Sequence, residues 1–168
     1  KAIKHYNIVL ENNPNYIMAH YFMGNVYNDR GKEGDYELAL KKYDDVKKLA
    51  PNYVQIHIIV GSTYSKLGNW EKAIENYHKY LKIDPVFEKT YSMLGTAYMK
   101  LGKYKEAEET YVSGLKWHPV SADMFLSLGN VYYTRKKYNA AERFYKKVLK
   151  IEPTNKNALK NLEKLKKK

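Results

Sequence analysis

The architecture follows from residues 54–87, which read VQIHIIVGSTYSKLGNWEKAIENYHKYLKIDPVF. Apolar side chains recur at helical spacing in both halves of this stretch, which predicts two amphipathic helices. The segment Leu67-Gly68-Asn69 predicts a short turn between them, because glycine takes the left-handed conformation that closes a helix. Asp84-Pro85 ends the second helix, since a residue before proline disfavours helical backbone. The unit is therefore predicted to be a helical hairpin.

This unit recurs along the 168-residue chain. The five prolines lie at positions 14, 51, 85, 119 and 153, so the first interval is 37 residues and the next three are 34. Eight of the nine glycines follow the same period, in one column at 24, 61, 95 and 129 and in a second near 31, 34, 68 and 102. A fixed period of this size indicates a repeat array, in which each hairpin buries its apolar face against its neighbours.

The residues at the predicted helix crossing resemble the tetratricopeptide repeat (TPR) family. In residues 54–87 the resemblance is carried by the segment from His57 to Tyr64, with Gly61 inside it, and then by Ala73, Tyr77 and Pro85. Matching residues fill the same places in the other units: His20, Met23, Gly24, Tyr27, Ala39, Tyr43 and Pro51; Tyr91, Leu94, Gly95, Tyr98, Ala107, Tyr111 and Pro119; Phe125, Leu128, Gly129, Tyr132, Ala141, Tyr145 and Pro153.

The resemblance implies an all-α, right-handed superhelical solenoid of antiparallel helix hairpins. We expect the second helix of a truncated preceding repeat at 1–16, where Ala2, Tyr6 and Pro14 match the second half of the pattern. Four full repeats are expected at 17–53, 54–87, 88–121 and 122–155, followed by a basic capping helix at 156–168. A start within a repeat suggests excision from a longer array, and the open N-terminal edge could pair with another copy.

Three departures from the repeat carry expectations of their own. The first repeat has three extra residues in its turn, which loop-closure entropy tolerates at a cost of about 0.6 kcal/mol per doubling of loop length. Lys136 stands where Gly68 and Gly102 stand in neighbouring repeats, which predicts a left-handed lysine or an altered turn. Glu163 replaces the helical glycine in the last helix, where no second helix is expected to need the space.

Composition limits the classes of function. The 30 Lys and Arg against 18 Asp and Glu give a net charge of +12, and no apolar run approaches the 18 residues or so of a membrane helix. This predicts a soluble domain. The absence of cysteine excludes disulfides and Cys-based sites but leaves the compartment open, with the cytoplasm slightly favoured over an extracytoplasmic location.

The sequence lacks the motifs of the common enzyme classes, so we expect no catalysis, no cofactor, no metal and no small-molecule substrate. Glu108 and Glu109 are interpreted as a solvated helix face rather than as an acid/base couple. The histidines show no i,i+4 pairing, and packing is the preferred interpretation of two of them, His20 and His57.

In the TPR family the first helix of each hairpin lines a concave groove that binds another protein. The resemblance places one set of residues there in the first two full repeats: Met18, Tyr21, Asn25, Asn28 and Asp29, then Gln55, Ile58, Ser62, Ser65 and Lys66. In the next two repeats it places Lys89, Ser92, Thr96, Met99 and Lys100, then Asp123, Leu126, Asn130, Tyr133 and Thr134. The amides suit a peptide backbone and the apolar members suit side chains, so we expect a scaffold that binds an extended peptide or helix of a partner protein.

A carboxylate clamp for heat-shock chaperones, another use of this family, is disfavoured. Asn25 and Lys89 suit two of its places, but Tyr21, Ile59 and Met93 occupy others.

Two alternatives stay open. Residues 122–168 carry nine of the twelve excess positive charges, which could meet nucleic acid or another anionic surface, although the chain's three arginines are few for nucleic-acid binding. Residues 51–55 and the hairpins after them also resemble soluble TPR tails of bacterial membrane proteins that assemble surface polysaccharide.

Overall fold

The computed structural model describes residues 1–167, which contain ten α-helices and no strand. The first compact unit, Lys1–Ile83, holds five of them: α1 (Ala2–Asn12), α2 (Ile17–Arg30), α3 (Asp35–Leu49), α4 (Ile56–Lys66) and α5 (Trp70–Ile83). The second unit begins at Asp84 and holds α6 (Glu88–Lys100), α7 (Tyr104–Trp117), α8 (Ala122–Thr134), α9 (Tyr138–Ile151) and α10 (Lys156–Leu165).

Neighbouring helices pair as hairpins within each unit. In the first unit α2 packs on α3 and α4 on α5, with α1 against α2 and α3 against α4. In the second unit α6 packs on α7 and α8 on α9, while α7 contacts α8 and α10 contacts α9. The predicted all-α fold of helix hairpins is confirmed. The repeat limits given above stay a prediction.

The core is built around the column of helical glycines. The side chain closest to each is a tyrosine of the second helix of the same hairpin: Tyr43 for Gly24, Tyr77 for Gly61, Tyr111 for Gly95 and Tyr145 for Gly129. All four tyrosines are at most 2% exposed. The glycines therefore make room for aromatic rings. The repeat pattern also places one alanine on the second helix of each hairpin. Those alanines, Ala39, Ala73, Ala107 and Ala141, are themselves fully buried.

Gly114, the glycine outside the repeat pattern, also marks a close approach. A Cβ there would lie 2.5 Å from the Met124 Cε and 2.9 Å from the Tyr91 Cβ. Its lack of a side chain lets α7 and α8 pack closely in the second unit.

Left-handed residues close three of the hairpin turns. Gly68, Gly102 and Lys136 have φ angles of 74°, 71° and 57°. In each turn the next amide donates to a carbonyl five residues earlier, as Lys137 N–H does to the Tyr132 oxygen at 2.9 Å. This is the hydrogen bond of the Schellman motif, which satisfies a free helix carbonyl. The predicted left-handed lysine is confirmed.

The longer turn of the first repeat is organised by Asp35. This carboxylate is 2% exposed and accepts from Arg30 Nε at 2.6 Å and from the Lys32 amide at 2.9 Å, with a second guanidinium contact to Arg30. Gly31 at the end of α2 and Gly34 at the start of α3 supply left-handed backbone at the two ends of this turn. The hydrogen bonds from Arg30, followed by that from Lys32, lower the pKa of Asp35 to about 2.

The helix α1 leaves apolar side chains in solvent. Ile8 and Val9 are 54% and 36% exposed, and Phe22 of α2 stacks on Tyr6 while remaining 41% exposed. Self-association through this edge stays a prediction.

Candidate functional site

The predicted binding residues lie on the first helices of the hairpins, two in each unit. In the first unit they lie on α2, on α4 and at the N-cap of α4, and in the second on α6 and α8. Their spacing of three or four residues places them on one side of each helix. None of these predicted residues is buried, so all of them leave some surface for a ligand. Their role in binding stays a prediction.

The hydroxyl groups of the four core tyrosines hydrogen-bond to the candidate binding faces. Tyr43 Oη donates to Asn25 Oδ1 at 2.8 Å, and Tyr145 Oη donates to Asn130 Oδ1 at 2.9 Å. In the hairpins between them, Tyr77 Oη lies 3.0 Å from Ser65 Oγ and Tyr111 Oη lies 3.5 Å from Thr96 Oγ1. Burial raises the pKa of Tyr145 to about 12, which keeps this donor protonated at neutral pH.

These bonds fix which way two asparagines face. The Oδ1 atoms of Asn25 and Asn130 are engaged by tyrosines, and Asn130 Oδ1 accepts a second bond from Asn161 Nδ2 at 3.0 Å. Because an amide carries its oxygen and nitrogen on opposite sides, the Nδ2 group is what each side chain offers to a ligand. Such a donor suits a carbonyl or carboxylate oxygen.

The second unit contains a cavity of about 380 Å³ on this face. It joins side chains of α6 and α8 to two tyrosines of α7, and most of its lining groups are hydroxyls, with one amide and one cation. Five of its lining residues belong to the predicted set: Thr96, Met99, Lys100, Asn130 and Thr134. Three others were not predicted: Tyr104, Tyr111 and Ser127. Tyr111 is one of the residues that carry the family resemblance, and its buried ring still reaches the lining of this cavity.

In the first unit, two predicted residues are engaged by neighbours. Lys66 Nζ donates to the Asn28 carbonyl at 3.1 Å and lies 5.7 Å from the centre of the Tyr36 ring. Thr63 Oγ1 lies 3.2 Å from Asn28 Oδ1. These contacts join α2 to α4, so Asn28 and Lys66 hold the two helices together as well as bordering the face.

The two acidic residues considered for acid/base chemistry differ in their surroundings. Glu109 is exposed, and its Oε1 lies 3.8 Å from Lys105 Nζ. Glu108 is only 27% exposed, accepts from Tyr132 Oη at 2.5 Å and from Arg135 Nη1 at 2.6 Å. Glu108 therefore ties α7 to the end of α8, which departs from the solvated face expected for it.

The two histidines interpreted as packing residues contact neighbouring helices or loops. His20 is 8% exposed, with Nε2 2.8 Å from the Pro14 carbonyl and Nδ1 3.2 Å from Asp45 Oδ2. His57 Nδ1 lies 3.5 Å from Asn76 Oδ1, and burial lowers the pKa of His57. Among residues 1–167, no cluster of three or more His, Asp or Glu side chains has the arrangement of a metal site.

Two family models match the chain. One, described as tetratricopeptide repeat, matches residues 92–156, and another, described as TPR repeat, matches residues 61–102. The chain belongs to the tetratricopeptide repeat family. No curated protein matches it significantly.

Solved TPR structures share the fold of this TPR chain. MamA from Desulfovibrio magneticus RS-1 is 20% identical with a TM-score of 0.80, over 92% of this chain and 85% of that one. YrrB, described as a TPR protein with an unusual peptide-binding site, is 20% identical with a TM-score of 0.78, over 94% and 80%. The second TPR domain of human RPAP3, solved with the HSP70 peptide SGPTIEEVD, is 30% identical with a TM-score of 0.64, over 71% and 100%.

The longest helix of the TPR chain, α3, has 15 residues, and the other described helices are shorter. Within residues 1–167, none has the length and apolar character needed to cross a bilayer.

Proposed function

We propose that this TPR chain is a non-catalytic scaffold that binds a segment of a partner protein on the faces formed by α2 and α4 and by α6 and α8. The observation that carries the proposal is the pair of oriented amides, Asn25 and Asn130, each held by a buried tyrosine hydroxyl. Holding a polar side chain in place before binding lowers the entropy lost when a ligand arrives. The peptide complex of the second RPAP3 TPR domain and the peptide-binding site described for YrrB support the same use of the fold.

The chemistry of the two faces suits a peptide in extended or helical form. An amide donor such as Asn130 Nδ2 can bond a backbone carbonyl, while Leu126 and Tyr133 on the same helix offer apolar contact. In the second unit the cavity between α6 and α8 is large enough for a side chain of the partner. Binding by such a limited surface corresponds to a micromolar dissociation constant, or about 8 kcal/mol.

Part of the excess positive charge of the C-terminal third has a structural use, which weakens the nucleic-acid alternative. Lys147 Nζ lies 5.0 Å and 5.6 Å from the ring centres of Phe125 and Phe144, and Lys137 Nζ lies 6.0 Å from that of Tyr132. Cations over aromatic faces stabilise helix packing. These two lysines therefore do not need a phosphate partner to explain them.

Site-specific photo-crosslinking tests the proposal. A photoreactive residue at Leu126, on the binding face of α8, should capture a partner from the native host extract, and adding Asn130→Ala should reduce that product. The control position is Val112, which is 46% exposed on α7 and outside the predicted face. Equal products at both positions, or no effect of Asn130→Ala on a chain that still folds by circular dichroism, would move the binding surface elsewhere.

A further inference from the structure

The last helix, α10, continues the candidate binding face of the second unit. Asn161 of α10 donates to Asn130 Oδ1 at 3.0 Å and also bonds the Tyr145 hydroxyl. Ser127 lies one 34-residue period before Asn161 and bonds the Tyr111 hydroxyl in the same way. The Tyr111 hydroxyl also lies 3.5 Å from Thr96 Oγ1. Since Asn161 of α10 makes the contact that Ser127 of α8 makes, α10 occupies the position of the first helix of a further hairpin. The sequence analysis had assigned α10 only the role of a capping helix.

The same register makes this added surface basic. One period after Leu126, Asn130 and Tyr133 come Lys160, Lys164 and Lys167. Lys160 and Lys164 are exposed and lie one helical turn apart, about 6 Å along the axis. On the other side of Asn130, Lys100 lines the cavity described above. Cations therefore border the amide and hydroxyl groups of this face on both sides.

Acidic groups are few on this surface. Asp123 is the acidic member of the predicted set on α8. Glu163 lines a different cavity of α10, together with Glu142, Lys146 and Leu159. The donors that remain for a ligand, Lys100, Asn130 Nδ2 and the two lysines of α10, all suit an acceptor with negative charge.

We infer that the face formed by α6, α8 and α10 binds a partner segment rich in Asp and Glu, an inference that rests on the proposed function. Alternate side chains of an extended peptide are about 6.6 Å apart, close to the spacing of Lys160 and Lys164. A peptide fits better than a nucleic acid, because Met99, Leu126 and Tyr133 of the predicted face offer apolar contact to side chains, and Asp123 would repel a continuous row of phosphates.

Two labelled probes test this inference by fluorescence anisotropy: a short peptide of alternating Glu and Ala, and its counterpart of alternating Gln and Ala. The Glu peptide should bind more tightly, and its affinity should fall as salt rises from about 0.02 M to about 0.3 M. The double change Lys160→Gln with Lys164→Gln should weaken the Glu peptide about fivefold to tenfold and leave the Gln peptide unchanged.

The matched control is Lys116→Gln with Lys150→Gln, which removes the same charge from exposed positions at the ends of α7 and α9. It should change affinity less than twofold. Equal loss with both double variants, equal binding of both peptides, or no binding of the Glu peptide at about 1 mM would overturn the inference. So would an oligothymidylate that displaces the Glu peptide and binds more tightly than it.

Failure of the acidic preference can be told apart from failure of the proposed function. If both peptides bind alike and both are weakened by Tyr133→Ala, peptide binding on this face stands and only the preference for acidic residues falls. If the Leu126 crosslink described above also fails, the proposed function falls with it. Melting curves followed by circular dichroism check that each variant is folded.

Discussion

The ring of Tyr77 covers the backbone of Gly61, so that a Cβ on Gly61 would lie 2.6 Å from the ring carbon Cε1. This contact joins α4 to α5 and leaves the Tyr77 hydroxyl 3.0 Å from Ser65. The absence of one side chain thus decides both how closely the hairpin packs and where a polar group emerges on the proposed binding face.

Replacing Gly61 with alanine should destabilise the fold. The added methyl group would overlap the Tyr77 ring, which is 1% exposed. Overpacking of this kind typically costs about 1–3 kcal/mol when the ring cannot move. Alanine gains about 1 kcal/mol over glycine in helix propensity, so a fixed ring makes the change destabilising. We expect a lower urea midpoint for Gly61→Ala. The neighbouring change Ser62→Ala is the control and should alter stability by less than about 0.5 kcal/mol. A Gly61→Ala protein as stable as the unaltered chain would show that the ring yields.

Replacing Lys136 with glycine should stabilise the protein. Lys136 has a φ of 57°, and a side chain in this left-handed conformation costs about 1–2 kcal/mol that glycine avoids. Because glycine gains entropy in the unfolded chain, the net increase in the free energy of unfolding should be about 0.5–1 kcal/mol, measured by urea titration. Lys137→Gly, at a φ of −87°, is the control and should act in the opposite direction. A loss of stability at Lys136 would contradict this account of the turn.

Much of the fold could be predicted because proline and glycine act through local backbone geometry. The period of the prolines located the hairpins. Because Lys136 aligns with the turn residues Gly68 and Gly102, the sequence also predicted its left-handed conformation. Such effects need only the residue itself and its immediate neighbours, so a single sequence reveals them.

The candidate site was harder to predict because its polar contacts join residues far apart in the chain. Asn161 reaches Asn130 across 31 positions, and Glu108 reaches Arg135 across 27. The sequence assigned the first to a cap and the second to a solvated face. Neither side chain has a local pattern that distinguishes a surface residue from one that bonds to another helix.

The contact of Glu108 with Tyr132 and Arg135 should contribute to stability. Hydrogen bonds to a charged group are worth about 1.5–3 kcal/mol when protected, and less when water reaches them, so we expect Glu108→Gln to cost about 1–2 kcal/mol. Its neighbour Glu109, whose carboxylate pairs with exposed Lys105, provides the control, and Glu109→Gln should have almost no effect. Equal effects of the two changes in thermal unfolding would mean that Glu108 is as solvated as Glu109.

Acid should weaken the first unit through Asp35. The folded pKa of about 2 lies below the value near 3.9 of an unfolded aspartate, so the carboxylate stabilises the fold above that higher pKa. This stability is lost as the pH falls from about 5 toward 2. Asp35→Asn should remove the corresponding part of the pH dependence, measured as the urea midpoint at a series of pH values. Identical pH profiles for the two proteins would show that Asp35 is not held by Arg30 in solution.

Four tyrosines serve two purposes, since each fills the space over a glycine and also reaches a polar residue of the proposed binding face. Substitution of any of these tyrosines would therefore unfold its hairpin, so related chains have little freedom to change their binding partner by replacing them. Divergence in what related chains recognise should collect at the residues the rings touch, such as Asn25, Thr96 and Asn130, while the tyrosines stay the same.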